Sequence, residues 1–141
     1  MDVEWLILAD SAQVKGNKLY VLGGGWDRLT LNRPLPVNHQ MAVAAAFQVD
    51  WNETNERHQF EIEIVAGDGA TLGNVKGAFE VGRPPGIPPG HRQRTQIAVN
   101  LTLPLKEYGT YEIVAKLDGE IRRRSPFLVM PGPGQNQVPP K

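Results

Sequence analysis

The sequence contains no cysteine. That excludes disulfides, thiolate metal sites and cysteine nucleophiles together, and it fits a reducing compartment. Long apolar runs are also missing. The first, Trp5 to Ala9, is five residues long, too short for a signal-peptide core or a membrane span, and no basic segment precedes it. A soluble, cytoplasmic protein without membrane association is the expectation. Neither sign of charge is in excess, since fifteen Lys and Arg face fifteen Asp and Glu. Nucleic acid is therefore not an expected partner. Serine is scarce: Ser11 and Ser125 are the two present, and neither lies in a G-x-S-x-G setting. His39, His58 and His91 show no metal-ligand spacing. His39 and His58 read as solvated residues opening strands, and His91 closes a loop. No metal and no cofactor is expected.

Glycine (15) and proline (12) are abundant, and they separate short apolar runs instead of forming one block. Between them side chains alternate. Met41, Val43, Ala45, Phe47 and Val49 share one face, with Ala42, Ala44 and Ala46 on the other. Phe60, Ile62 and Ile64 alternate with Gln59, Glu61 and Glu63; Ile97, Val99, Leu101 and Leu103 with Gln96, Ala98, Asn100 and Thr102; Tyr111, Ile113, Ala115 and Leu117 with Glu112, Val114 and Lys116. A period of two marks half-buried strands. With Trp5–Ala9, Lys18–Leu22, Trp26–Leu31, Val75–Val81 and Ile121–Val129, this predicts an all-β, antiparallel β-sandwich of roughly seven to nine strands over residues 1–130. Turns are expected at Val14–Lys18, Asp50–Glu56, Gly67–Gly69 and Asp118-Gly119, the last of type I′. The stretch 83–92, RPPGIPPGHR, reads as a semi-rigid, partly polyproline-like loop. Residues 131–141 bury almost nothing and read as a disordered tail.

Gly23-Gly24-Gly25 follows a strand, as a phosphate-binding loop does. What comes next, WDRLTLNRPLP, is rich in strand formers and is cut by prolines before a helix can mature. A phosphate cradle needs that helix N-terminus. The triplet instead marks a bulge, a strand changing sheets, or a close backbone approach. In that reading Trp26 folds onto bare backbone and Asp27 accepts backbone N–H bonds.

LTLPLKEYGTYEIVAKLDG resembles the tyrosine-corner segment of immunoglobulin-like sandwiches, with Tyr111 opening a strand and Ile113 where an antibody domain places its second cysteine. The cysteine pair is absent, and the Gln40–Val49 strand has no tryptophan. The alternative is that Tyr111 is a plain core aromatic. A second resemblance rests on Ala9, Asp10, Lys18, Leu19, Tyr20, Val21, Leu22, Gly23, Gly24 and Asp27, with a looser match at GTYEIVAKLDG. It is similar to a family of small bacterial proteins without assigned activity. The resemblance implies a β-sandwich and brings no substrate, cofactor or catalytic residue.

Asp10 and Asp27 each follow an apolar strand beside a turn. They fit turn caps that accept backbone N–H bonds, or else a carboxylate pair for acid/base work or cation binding. Arg122, Arg123 and Arg124 lie on the last strand; Arg123 has the parity of inward residues, a clash that a bulge relieves. With Arg92 and Arg94 they form either a basic stripe or ordinary charge on an edge strand. The sequence as a whole reads as a non-enzymatic binding or assembly module for a protein partner, with homo-oligomerisation through an exposed Ala42/Ala44/Ala46 face. The alternatives are a ligand- or carbohydrate-binding domain using Trp26, Trp51 and the 83–92 loop, and an enzyme built on Asp10 and Asp27. Candidate structural or binding residues are Asp10, Gly23, Gly24, Gly25, Trp26, Asp27 and Tyr111.

Overall fold

A computed structural model describes residues 1–133. Within them the chain forms strands β1 (Asp2–Lys15), β2 (Lys18–Gly24), β3 (Arg28–Leu31), β4 (Val37–Val49), β5 (Arg57–Val65), β6 (Thr71–Glu80), β7 (Gln93–Leu105), β8 (Gly109–Leu117) and β9 (Glu120–Pro131), with one 3-10 turn at Trp51–Glu53. The strands lie in two sheets, ordered β2-β1-β4-β7 and β3-β9-β8-β5-β6. The alternating residues set the layers. Met41, Val43, Phe47, Ile62, Ile64, Leu103, Ile113 and Phe127 meet between the sheets in one core. The expected β-sandwich is present. The expected disordered tail falls mostly on residues 134–141, outside the described residues.

β1 is longer than its apolar run. Its first half pairs with β4, from Asp2↔Gln48 to Ala9↔Ala42. Its second half pairs with β2, from Ala9↔Gly24 to Lys15↔Lys18. The turn narrows to Gly16 and Asn17, both at positive φ (59° and 61°), the requirement of a two-residue type I′ hairpin.

This hairpin leaves the plane of its sheet and lies over the outer face of β4. Asn100 of β7 fastens it: Nδ2 donates to Ala12 O at 2.8 Å, and Oδ1 accepts from Ala12 N at 3.3 Å. Gln96 Nε2 donates to Asn17 O at 3.2 Å. Beneath it Ala9, Ala12, Ala42 and Ala44 form a second small core, edged by Trp5, Ile7, Leu19, Val21 and Ala98. Ala42, Ala44 and Ala46 are therefore 0% exposed, which corrects the expectation of an open alanine face. A period of two separates the two faces of a strand but does not say whether water or another layer covers the second. Small side chains are what let a hairpin backbone approach this closely.

The pairings are antiparallel as expected, with one exception among the described residues: β3 pairs with β9 in parallel, from Arg28↔Leu128 to Leu31↔Pro131. After the glycines the chain crosses from one sheet to the other and joins the last strand running the same way. At β9 the expected bulge is present, with the register shifting between Ala115↔Arg123 and Lys116↔Ile121. Arg123 turns out to solvent and reaches Val3 O and Glu4 O at 3.5 Å. The 83–92 loop is not polyproline-like. Ile87 N bonds Pro84 O, His91 N bonds Pro88 O, and Gly86 and Gly90 take positive φ. Pro at the second and Gly at the third position describe two successive type II turns.

Candidate functional site

The glycine triplet is the sheet crossing. Gly24 still pairs with Ala9, Gly25 N donates to Leu8 O at 2.8 Å, and Asp27 O accepts from Leu128 N of the other sheet at 2.9 Å. Gly23 (φ 60°) lies against Asp10, whose carboxylate fills the space a Cβ would take. No helix follows, so no phosphate cradle forms here.

Trp26 then packs edge-on to Phe127 at 6.1 Å, and Phe127 stacks on Tyr111 at 5.5 Å. The indole thus joins the core instead of lying on bare backbone. Tyr111 Oη donates to Glu107 O at 2.6 Å, four residues upstream, which closes a tyrosine corner and decides against a plain core aromatic.

Asp10 and Asp27 hold different positions around the crossing. Asp10 lies on β1 beside Gly23. Asp27 is exposed at the head of β3 with Arg28 Nε 3.8 Å away. Among the described residues no hydrogen bond joins the two, and neither carboxylate caps a turn. Capping falls to other acids: Asp68 Oδ1 accepts from Ala70 N at 2.9 Å, and Asp118 Oδ1 from Gln59 N at 2.9 Å. Among the described residues no group of three potential ligands gathers around a metal-sized space.

The two indoles named for ligand binding lie at opposite ends of the sandwich. Trp26 is by the start of β8. Trp51 is by its far end, under the Arg83 guanidinium at 4.2 Å, and Arg83 Nη2 also bonds Trp51 O. No free basic stripe forms either. Arg92 pairs with Asp2 and Asp50, Arg94 with Glu4, Arg122 with Glu120 and Arg124 with Glu112.

His58 is buried, not a solvated strand opener. Nδ1 bonds Asp118 Oδ2 at 2.8 Å and Nε2 bonds Glu53 O at 2.7 Å. Burial opposes the charged ring, but the Glu53 carbonyl and the Asp118 carboxylate outweigh it and raise its pKa above the usual histidine value. Burial likewise opposes the Asp118 carboxylate, and the Gln59 N–H with His58 outweighs it, lowering its pKa. The Asp118-Gly119 turn is visible in the sequence, but nothing there marks His58 as the partner of its acid. His39 has its pKa lowered by burial and by Arg33, and its Nε2 is buried without a partner.

What remains open is an edge. β2 is the last strand of its sheet and hydrogen-bonds to no strand but β1 among the described residues. Leu19 and Val21 turn onto the alanine cluster, while Tyr20 and Leu22 turn outward, 55% and 72% exposed. A shallow groove lined by Gln13, Lys15, Gly16, Lys18 and Tyr20 runs beside them. The other edges differ. β3 has four residues; β6 presents Asn74, Lys76 and Glu80; β7 carries Arg94 and Pro104. Charge, proline and brevity protect an edge strand, and β2 lacks all but Lys18.

A family model of unknown function matches residues 4–130, from early β1 to the end of β9. The chain belongs to that family, DUF6941. No curated protein matches it. The DUF6941 match takes in the whole β1–β2 hairpin, the crossing glycines and the Tyr111 corner. It agrees with the resemblance to a family without assigned activity. No helix among the described residues of this DUF6941 chain is long and apolar enough to cross a membrane.

Proposed function

We propose that the protein is a non-enzymatic binding module of immunoglobulin-like type, working in the cytoplasm of a bacterium, and that it takes an extended partner strand along the free edge of β2. One observation carries this reading: Leu22 and Tyr20 stand exposed on an edge strand that pairs, among the described residues, with β1 alone. An exposed edge with apolar side chains is a template for strand addition, in which main-chain bonds give affinity and alternate side chains give specificity. The type is supported by the Tyr111 corner and by β9 lying between β8 and a parallel β3. The compartment is supported by the absence of cysteine.

The other readings have less behind them. A carbohydrate site on Trp26 and Trp51 has its indoles half-buried and engaged with different partners, Phe127 and Arg83. An Asp10/Asp27 enzyme has its carboxylates on different parts of the crossing. To test the edge reading, immobilised protein is offered a host extract. Wild type retains a partner and Leu22→Lys, with an unchanged circular dichroism spectrum and melting temperature, loses it. Retention untouched by the lysine overturns the reading.

A further inference from the structure

We infer that the strand added to β2 is β2 of a second copy, running antiparallel, so that one sheet continues through both molecules about a two-fold axis. This rests on the edge reading above and names its partner. Three observations point to self-pairing.

The first is register. A two-fold antiparallel pair centred on Val21 sets Tyr20 opposite Leu22 of the second copy and Lys18 opposite Gly24. The whole of Lys18–Gly24 is then used. Both outward apolar residues acquire an apolar neighbour, each an aromatic against an aliphatic, a favourable cross-strand pair. No two like charges face each other. A two-fold contact must be complementary to itself, and this strand is.

The second is the charge left over on the hairpin. Lys15 and Lys18 sit at its tip, Asp10 at its base beside Gly23. Lys15, Lys18 and Asp10 form no ion pair among the described residues, whereas most charges on the two sheets do. Antiparallel pairing brings the cationic tip of one copy to the anionic base of the other. A parallel arrangement would stack lysine on lysine. The crossing glycines at that base carry no side chain to obstruct an incoming lysine stem.

The third is the balance of the whole molecule. Formal net charge is zero, so two copies meet without long-range repulsion.

Sedimentation equilibrium on the full chain across the micromolar range tests this. The expected result is a reversible dimer for wild type. Leu22→Lys, at a site 72% exposed where folding is indifferent to the side chain, should weaken it at least ten-fold. Lys15→Glu with Lys18→Glu should weaken it by about three-fold, the scale of exposed charge pairs. Because the chain has no cysteine, Gln13→Cys carries a single spin label, and the dimer should give one narrow inter-copy distance across β2. A wild type that is monomeric throughout overturns the second copy as partner. So does dimerisation unaffected by Leu22→Lys, while unchanged affinity in the double charge reversal overturns the antiparallel orientation. The edge reading is separable from this one. A monomer that still retains a Leu22→Lys-sensitive partner from extract keeps the β2 edge and loses only self-pairing; a monomer that retains none loses both.

Discussion

Gly23 shows how much a single backbone position decides. Its φ of 60° is left-handed, which costs a side-chain-bearing residue roughly 1–2 kcal/mol. A Cβ there would also lie 2.7 Å from Asp10 Cγ. Gly23→Ala should therefore lower unfolding free energy by about 2–3 kcal/mol in urea titration. Adding Asp10→Ala removes the overlap but not the strain, so the double variant should recover about half of the loss. A double variant no more stable than the single one would show that Asp10 is not the obstacle. Tyr111 offers a cleaner deletion. Phenylalanine keeps the stack on Phe127 and removes only the 2.6 Å bond to Glu107 O. Tyr111→Phe should cost about 1 kcal/mol by the same measurement, the ordinary value of one internal hydrogen bond. No loss would mean that the corner is held by packing alone.

At the level of elements, two fastenings join segments far apart in the chain. His58 ties the 3-10 turn and β5 to the β8–β9 hairpin. Its raised pKa means that the charged ring stabilises the fold fully below the unfolded value, about 6.5, and that this is lost as pH rises through the folded value. Asp118 has the opposite sign: its contribution is present above about 3.9 and lost as pH falls through its lowered folded value. The clamp is thus strongest between those limits. His58→Gln should cost about 1–3 kcal/mol near pH 5.5, with a smaller deficit at pH 8. A deficit that grows with pH would sink this assignment. The second fastening is Asn100. Asn100→Ala leaves Ala12 N and O unpaired under the hairpin. Amide exchange from Ala12 to Leu19 should speed up about ten-fold or more while β8 and β9 stay protected. The strands themselves were legible because Phe60–Ile64, Ile97–Leu103 and Tyr111–Leu117 each bury one face and wet the other. The layer over Ala42 and Ala44 was not, because its fastenings are two side-chain amides, Asn100 and Gln96, whose backbone partners lie 88 and 79 residues away. The parallel β3 was hidden too: four residues carry no sign of direction. Neither was His58 readable as a clamp, since nothing local links it to an acid 60 positions on.

On the scale of the whole molecule, the candidate site was half readable. The stretch around Tyr20 and Leu22 stands out in the sequence through its glycines, while its exposed edge depends on which strand ends the sheet, a property of topology that local pattern does not encode. Topology also raises a question of cooperativity, since the fold has a main core between the sheets and a small one under the hairpin. The three tryptophans report on separate regions. Trp5 edges the alanine cluster, Trp26 packs on Phe127 in the main core, and Trp51 lies beneath Arg83 at the far end. β1 belongs to both cores within the half that pairs with β4: Val3, Leu6 and Leu8 enter one, and Trp5, Ile7 and Ala9 pack in the other. A strand shared in this way cannot keep one core while surrendering the other without breaking its own pairing to β4. Urea unfolding should then be a single transition, as is usual for one domain of this size. In each single-tryptophan variant, with the other two indoles replaced by phenylalanine, the fluorescence midpoint should coincide with that of far-ultraviolet circular dichroism. A Trp5 signal that melts before the dichroism, with Trp26 and Trp51 following it, would mean that the hairpin unfolds as its own unit. The β2 edge would then be mobile in the native state, and any strand it accepts would have to order the hairpin first.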